Sequence, residues 1–334
     1  MINVVINGFG RIGRNFLRTF LQDKNAQKKM KIVAINIGPT GLDAVAHMFK
    51  YDTLLGTYPG DVRIQNNELK IDDFRVRIIA ETDPEKVHWH KYYVDWVVDA
   101  TGRFTHRKGA QLHIDSGAKK VLITAPAENA DVTIIPGVND SDYNPAKDSI
   151  VSLGSCTTNA LAPTLKVLHE QFEITAGFMT TIHAYTNTQV LLDVERPDLR
   201  RSRAAALNII PTTTGATKVI GKLMPALAGC LGGTAVRVPV AKVSLIDVAF
   251  LAKKEITPER INKAFKKASK NSLKNILDIS FSPLVSSDYS ANNNSVVIDG
   301  LLTDVYCKLG KVFGWYDNEW GYSVRLKDFL VSVA

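Results

Sequence analysis

Apolar positions through the first half of the chain alternate between strand spacing and helix spacing. Residues 3–7 form a short β-branched run, and residues 14–23 carry a helical pattern. The same order then repeats, with strand-like runs at 31–36, 93–100, 121–125 and 150–153 and helical patterns at 42–50 and 110–116. Strands that alternate with helices are typical of βαβ units, so this half predicts a parallel sheet.

The second half has a different pattern, because long polar or glycine-containing connections separate its predicted elements. Strand-like runs lie at 178–183, 235–239, 244–251 and 296–299. Residues 258–269 predict an amphipathic helix that begins after Thr257 as N-cap. Apolar residues at 322–333 fall broadly on one side of a predicted helix, and this side is expected to pack against another part of the protein. This half predicts a mixed α+β domain that begins near Ser155.

Length and composition place the chain among ordinary globular proteins. Its 334 residues suggest about two domains, and 45% hydrophobic residues suffice for a large core. No apolar run approaches the roughly 18 residues of a membrane span, and the strand at the N-terminus leaves no room for a signal peptide. The 3 cysteines cannot form a disulfide framework, which favours a reducing, cytoplasmic setting. A net charge of +8 leaves nucleic acid, membrane surfaces and small anions open.

A glycine motif, GFGRIG at residues 8–13, follows the first strand and opens the first helix. Glycines at these positions allow a tight turn and a close approach of the backbone, so a dinucleotide pyrophosphate can sit at the positive end of the helix. The motif alone is weak evidence, but both flanks favour a dinucleotide over a structural turn. Arg11 is the polar residue on this loop best placed to face a phosphate, and a solvated surface arginine is the alternative.

The second strand ends without the acidic residue that usually accepts the ribose hydroxyls and repels a 2′-phosphate. The sequence there is AINIGP at residues 34–39. Either Asn36 or a loop backbone group binds the ribose, or the site tolerates NADP. The choice between NAD and NADP is therefore open at this point.

Cys156 is the candidate nucleophile, because it follows a strand and opens a predicted helix. The helix dipole and nearby N–H groups favour the thiolate there. His183 ends a strand and is the candidate proton acceptor, although spacing alone also allows a structural histidine. Cys230 and Cys307 have no obvious activator and fit a packing role better.

Several motifs taken together indicate a family. The chain resembles phosphorylating glyceraldehyde-3-phosphate dehydrogenases over essentially its whole length. The segments that carry the resemblance are INGFGRIGR at 6–14, SCTTN at 155–159, HAYTN at 183–187, RRSRA at 200–204, PTTTGA at 211–216, RVP at 237–239 and WYDNEWGY at 315–322.

The resemblance implies a hydride transfer built around a thiol. Cys156 attacks an aldehyde, His183 accepts the proton, hydride passes to the nicotinamide, and inorganic phosphate cleaves the resulting thioester. It also implies two anion sites, to which Ser155, Thr157, Thr186, Arg201, Thr214, Gly215 and Arg237 contribute. The implied cofactor contacts are Gly8, Gly10, Arg11, Ile12, Gly13, Thr124 and Asn318. No metal is expected.

The resemblance also implies an architecture and partners. The fold is α/β, with a Rossmann-type parallel sheet domain at 1–154 and a mixed α+β catalytic domain at 155–319. The C-terminal helix, residues 320–334, packs back on the first domain. The family is usually a cytoplasmic homotetramer, in which residues 191–210 would lie across a subunit interface. We expect NAD as cofactor, with NADP possible, and small phosphate substrates, without a requirement for membrane or nucleic acid.

Four positions depart from the family pattern. Ile37 stands where an acidic residue selecting NAD is common, and Thr82 stands where many members have an arginine near the adenosine end. Both weaken the expectation of strict NAD use. Thr188 replaces a frequent aspartate near the substrate-phosphate side, and Ala160 replaces a second cysteine that the chemistry does not need.

Three other functions are considered from the sequence. Erythrose-4-phosphate dehydrogenases use the same thiol and nucleotide chemistry, but tend to lack the TTTG run at 212–215 and the pair Tyr185 and Thr186. Aspartate-semialdehyde dehydrogenases share the chemistry without these motifs. A non-catalytic binding relative would be marked by loss of Cys156 or His183, and both are present.

Overall fold

The chain divides into two compact units. A computed structural model describes all 334 residues, Met1–Ala334. The first unit comprises Met1–Ile134, Asp140–Gly154 and Ser323–Ala334, and the second comprises Ile135–Asn139 and Ser155–Tyr322. No helix is both long enough and apolar enough to cross a membrane.

The first unit is built on a nine-stranded sheet. Its elements are β1 (Ile2–Asn7), α1 (Arg11–Gln22), α2 (Lys24–Lys29), β2 (Met30–Asn36), α3 (Leu42–Lys50), β3 (Tyr51–Asp52), β4 (Gly56–Thr57), β5 (Val62–Gln65), β6 (Glu68–Ile71), β7 (Phe74–Ile79), β8 (Trp96–Asp99), α4 (Arg107–Asp115), β9 (Lys120–Ile123), β10 (Val132–Thr133) and β11 (Ile150–Ser152). The sheet order is β10-β11-β9-β8-β1-β2-β7-β6-β5, and β3 pairs separately with β4. Neighbouring strands from β10 to β7 run parallel, which confirms the predicted parallel sheet.

The carboxyl ends of the central strands form the part of this sheet where a ligand is expected. β1 lies between β2 and β8, and Asn7 at its end is in register with Asn36 on one side and Asp99 on the other. The chain turns from β1 towards β2 on one side and places β8 on the other, which makes this a topological switch point. Open α/β sheets bind ligands at such points.

The second unit contains an eight-stranded sheet with helices packed on it. Its elements are α5 (Cys156–Phe172), β12 (Ile174–Ala184), β13 (Ile210–Thr212), α6 (Ala216–Leu223), β14 (Leu231–Val238), β15 (Ser244–Ala252), α7 (Pro258–Lys270), β16 (Leu277–Ser280), β17 (Val296–Asp299), β18 (Asp304–Tyr306) and β19 (Leu309–Tyr316). The order is β13-β14-β12-β15-β19-β17-β16, with β18 paired to β19. Two of these pairings are parallel and the others antiparallel, so the predicted mixed sheet is confirmed.

The last helix, α8 (Trp320–Ser332), begins in the second unit, and its residues from Ser323 onward belong to the first. Phe329 packs edge-on against Trp96 and Tyr143, with ring centroids 5.7 Å and 5.4 Å away. Lys327 forms an ion pair with Asp23, the residue that caps α2. The apolar side of the C-terminal helix therefore packs within the first unit.

Several boundaries differ from the sequence expectation. The first helix begins at Arg11 rather than at residue 14, directly after the glycine motif. The strand expected at 93–100 spans only Trp96–Asp99, because Tyr93 has a left-handed φ of 51°. The antiparallel strands β5 to β7 were not predicted. Thr257 does cap α7, accepting a hydrogen bond from the Arg260 N–H.

Candidate active site

Cys156 is the first residue of α5, and the structure brings it to His183. Ser155 is the N-cap, and its Oγ accepts a hydrogen bond of 3.0 Å from the Thr158 N–H, which fixes the start of the helix. The Cys156 Sγ lies 3.5 Å from His183 Nε2. The two candidates that spacing alone could not join are therefore in hydrogen-bond contact.

His183 lies near the end of β12, 4% exposed, and is in register with Arg237 on the parallel strand β14. Its Nδ1 is 2.6 Å from the Ala184 carbonyl oxygen and 2.6 Å from Arg237 Nη1. Arg237 Nη1 also donates to the Ala184 carbonyl oxygen at 2.9 Å. Pairing of the two strands thus fixes a guanidinium group beside the imidazole.

Burial dominates the electrostatics of this cluster. It raises the pKa of the Cys156 thiol, while the positive charge of Arg237 and hydrogen bonds from Thr157 act in the opposite direction. Burial and, after it, the charge of Arg237 lower the pKa of His183 to about 3. The helix N-terminus favours the thiolate, whereas burial favours the neutral thiol, so the two effects act in opposite directions on Cys156.

Tyr316 contacts this cluster from within the second unit and was not among the predicted site residues. Its hydroxyl is buried and bonds to Thr157 Oγ1 at 2.9 Å and Thr181 Oγ1 at 2.8 Å. Its ring meets that of His183 edge-on, with centroids 5.9 Å apart. Thr157, predicted as an anion contact, therefore has its hydroxyl on Tyr316. The WYDNEWGY motif contains this tyrosine, but only the fold places it beside the helix.

Two guanidinium groups make the surroundings of the thiol positive. Arg237 Nε is buried and makes no hydrogen bond within the chain. Burial lowers the pKa of Arg237, and repulsion from Arg201 adds to this. Arg201 Nε donates to Thr212 Oγ1 at 2.9 Å and lies 3.4 Å from Asp198. A buried N–H without a partner beside a second cation suits an anionic ligand.

The remaining predicted anion contacts lie on loops of the same unit. Thr186 Oγ1 is 2.9 Å from the Thr188 hydroxyl. Thr188, which stands where the family often has an aspartate, therefore forms a hydrogen bond with Thr186, a predicted anion contact. Thr214 Oγ1 accepts from the Ala216 N–H, and Gly215 is the N-cap of α6 without a side-chain cap. The helix therefore begins with N–H groups that an anion can satisfy.

Asn318 is held by a serine that sequence reasoning missed. Ser244 Oγ accepts from the Ala184 N–H at 3.1 Å and donates to Asn318 Oδ1 at 3.2 Å. Because Oδ1 is engaged inward, the Asn318 Nδ2 group remains to bind a ligand carbonyl. The neighbouring Asp317 forms a buried ion pair with Lys242 at 3.1 Å. Ser244 thus links the residue after His183 to the predicted nicotinamide contact.

A cavity of about 330 Å³ lies at the carboxyl ends of the central strands in the first unit. Gly8, with φ +92°, and Gly10 line it. A Cβ on Gly13 would lie 2.2 Å from the Gly8 carbonyl oxygen, whereas the space beside Gly10 is open for 4 Å. Close packing of α1 on the loop and free space at its N-terminus are what a pyrophosphate requires, so these residues fit a dinucleotide.

The predicted cofactor contacts Arg11, Ile12 and Thr124 do not line the cavity. Arg11 forms an ion pair with the buried Asp52, so its charge is partly neutralised within the chain. Ile12 is half-buried on α1, and Thr124 follows β9 with its N–H on the Asp99 carbonyl oxygen at 3.1 Å. Asn36 lines the cavity, but its amide bonds to Asn7 and to the main chain of Glu81.

A nucleotide-type parallel sheet and a thiol–imidazole–guanidinium cluster in one chain define a class, the nucleotide-dependent oxidoreductases. Comparison with known families gives the particular one. Residues 2–107 match the glyceraldehyde 3-phosphate dehydrogenase NAD binding domain, and residues 155–318 match the C-terminal domain of the same family. The chain belongs to the glyceraldehyde-3-phosphate dehydrogenase family.

Full-length relatives agree with this assignment. The chain is 47% identical over 334 residues to glyceraldehyde-3-phosphate dehydrogenase 2 of Bacillus subtilis, covering 100% of this chain and 97% of the relative. It is 47% identical over 334 residues to the glyceraldehyde-3-phosphate dehydrogenase of Geobacillus stearothermophilus, covering 100% and 98%. The chloroplastic glyceraldehyde-3-phosphate dehydrogenase B of Pisum sativum is 47% identical over 337 residues, covering 100% and 74%.

Proposed function

We propose that this enzyme catalyses the reversible, NAD-dependent oxidative phosphorylation of D-glyceraldehyde 3-phosphate to 1,3-bisphosphoglycerate. The observation that carries the proposal is the contact of 3.5 Å between the Cys156 thiol and His183 Nε2, with Arg237 beside both. This cluster brings a nucleophile, a proton acceptor and a positive charge together around the buried imidazole of His183. The reaction belongs to glycolysis and, in reverse, to gluconeogenesis.

Proton transfer at His183 sets the first step. The Cys156 sulfur bonds to the aldehyde carbon, and the S–H proton passes to His183 Nε2 as the C=O oxygen gains charge. Nε2 accepts a proton only if Nδ1 already carries one. The Ala184 carbonyl oxygen, 2.6 Å from Nδ1, accepts from that tautomer, whereas Arg237 Nη1, also 2.6 Å away, is a donor and must shift away from Nδ1 for the proton to be there. The partly exposed Arg237 guanidinium stabilises the negative charge that develops nearby.

The second half of the reaction releases the product from the cysteine. Bound NAD⁺ supplies the acceptor for the hydride that leaves the hemithioacetal carbon. The thioester that remains on Cys156 is attacked by inorganic phosphate, the C–S bond breaks, and the acyl phosphate departs. Arg201, Arg237, Thr186, Thr214, Gly215, Ser155 and Thr157 are the residues we assign to the two anion sites. Their donors are guanidinium, hydroxyl and main-chain N–H groups, which suit phosphate oxygens.

The remaining assignments follow the same proposal. Residues 1–154 with the C-terminal helix 320–334 form the dinucleotide-binding domain, and residues 155–319 form the catalytic domain. The cofactor contacts are Gly8, Gly10, Arg11, Ile12, Gly13, Thr124 and Asn318. The enzyme works as a cytoplasmic homotetramer, which the exposed leucines of residues 191–210 support. The free state of Cys156, Cys230 and Cys307 supports a reducing compartment.

Substitution of the thiol tests this function. Cys156→Ser should abolish phosphate-dependent formation of NADH from glyceraldehyde 3-phosphate, because the weaker nucleophile forms no thioester. Binding of NAD, followed by quenching of tryptophan fluorescence, should survive. Cys230→Ser is the matched control and should retain activity. Substantial turnover in Cys156→Ser contradicts the mechanism, and a higher kcat/KM for erythrose 4-phosphate in the parent enzyme would favour the sibling activity.

A further inference from the structure

The cavity of the first unit contains one carboxylate, although the second strand ends without one. Glu81 is the only acidic residue among those that line the cavity. Ile37, at the place where an acid would select NAD, is 4% exposed, and its apolar side chain cannot accept a hydrogen bond from a ribose hydroxyl. Glu81 follows β7, the strand next to β2, so it comes from a different strand end of the same sheet edge.

Asn36 fixes the main chain of Glu81 at the tip of β2. The Asn36 Nδ2 group donates to the Glu81 carbonyl oxygen at 2.8 Å, and the Glu81 N–H donates to Asn36 Oδ1 at 3.0 Å. The Ile37 N–H donates to the Ile79 carbonyl oxygen at 2.8 Å and continues the pairing of the two strands. Glu81 is therefore held beside the residues that follow β2.

The side chain of Glu81 is also held, and half of its carboxylate remains available. Oε1 accepts from the Thr82 N–H at 2.8 Å and from the Asp83 N–H at 3.1 Å. Oε2 makes no hydrogen bond or ion pair within the chain. The side chain is half-buried, so it presents an ordered acceptor to the cavity rather than a mobile charge in solvent.

We propose that Glu81 determines the specificity for NAD, an inference that rests on the proposed function. Its free oxygen accepts a hydrogen bond from the adenosine ribose, and its negative charge disfavours a 2′-phosphate, which carries up to about two charges. The cations that also line the cavity are Arg14, which donates to the Phe9 carbonyl oxygen, and the exposed Arg103. Removing the carboxylate leaves these cations to attract the extra phosphate.

Two adenosine ligands that differ by the 2′-phosphate test the proposal without catalysis. Affinities of adenosine 5′-monophosphate and adenosine 2′,5′-bisphosphate would be measured by titration calorimetry on the parent, Glu81→Gln and Glu81→Asp. Glu81→Gln should shift the affinity ratio towards the bisphosphate by about tenfold or more, because only the charge is lost. Glu81→Asp should keep most of the discrimination. Glu85→Gln removes an exposed charge that does not line the cavity and should change the ratio by less than about twofold.

The kinetic form of the experiment separates this inference from the proposed function. The ratio of kcat/KM for NAD to that for NADP should fall by about tenfold in Glu81→Gln while turnover with NAD remains. Equal ratios in Glu81→Gln and Glu85→Gln overturn the role of Glu81 even if the parent oxidises glyceraldehyde 3-phosphate. A parent that binds both adenosine ligands but oxidises no aldehyde would contradict the proposed function instead.

Discussion

At the scale of single residues, the contact between His183 and Arg237 adds to burial in lowering the pKa of the imidazole. Arg237 Nη1 approaches both His183 Nδ1 and the Ala184 carbonyl oxygen, so the side of the imidazole away from the thiol is crowded by positive charge. Protonation of the imidazole would place a second cation there in a buried position. Burial and Arg237 thus both favour the neutral imidazole in the ligand-free structure.

The expected consequence is a histidine that does not titrate near neutral pH in the ligand-free enzyme. The pKa of His183 is lowered to about 3, so the neutral form prevails at every pH above that value. Its ring signals in ¹³C-labelled protein, assigned by comparison with His183→Asn, should not shift between pH 5 and 8. Arg237→Gln removes the nearest positive charge and should move the midpoint upward. A midpoint near 6.5 or higher in the parent enzyme would contradict the lowering of the His183 pKa by burial and Arg237.

At the scale of elements, two glycines of the GFGRIG motif have different roles. Gly13 allows α1 to pack closely on the loop, whereas Gly10 leaves free space at the N-terminus of the helix. A side chain at Gly13 would meet the Gly8 carbonyl oxygen at 2.2 Å and the Ile6 side chain at 3.2 Å, so α1 would have to move away from β1. Gly10 has φ −74°, and a Cβ on it would meet no atom within 4 Å, so its backbone tolerates alanine. The chain itself therefore does not fill the space beside Gly10, and this space is open to a ligand.

Alanine at each of these glycines should give opposite results. Gly13→Ala should lower the free energy of unfolding by about 3 kcal/mol or more, because overpacking displaces the helix. Gly10→Ala should leave the Tm nearly unchanged but weaken the binding of NAD by about tenfold, since its methyl group occupies the space of the pyrophosphate. Thermal unfolding and calorimetric titration of both variants check this. Unchanged NAD affinity in Gly10→Ala would remove the loop from the cofactor site.

Helices and strands could be predicted where the hydrophobic pattern within the segment itself determines the element. Residues 42–50 and 296–299 were predicted with the bounds that the structure shows for α3 and β17. β19 was missed because Gly310 and Gly314 interrupt its alternation. A Cβ at these positions would lie 2.5 Å from the Phe250 ring and 2.6 Å from the Val296 side chain. The glycines of β19 are thus required by side chains of the neighbouring strands β15 and β17, which the sequence of one segment does not reveal.

The same distinction applies to the site. Cys156 and His183 carry local signals, a helix start and a strand end, and their contact of 3.5 Å joins residues 27 positions apart. Tyr316 reaches Thr157 from 159 positions away, and Ser244 reaches Asn318 from 74. Such supporting residues carry no local pattern, so only the assembled sheet of the second unit identifies them.

At the scale of the whole molecule, the segment 191–210 presents apolar side chains that the chain itself leaves uncovered. Leu191 is 87% exposed, Leu199 is 77% exposed and Leu207 is 78% exposed. Clusters of exposed apolar residues on this scale mark interfaces rather than free surface. The family resemblance implies that a second copy of the chain covers this segment. Burial of these leucines would then contribute to the stability of the assembly.

Light scattering coupled to size exclusion should therefore give a mass near four copies of the 36.8 kDa chain. Leu191→Asp combined with Leu199→Asp places two charges in the proposed interface and should reduce the mass to that of a smaller assembly, because a buried unpaired charge opposes association. Leu301→Asp combined with Leu302→Asp is the matched control, since these leucines are 53% and 49% exposed outside the segment, and should leave the mass unchanged. A parent enzyme that remains monomeric at micromolar concentration would contradict the assembly, and equal effects of the two pairs would place the interface elsewhere.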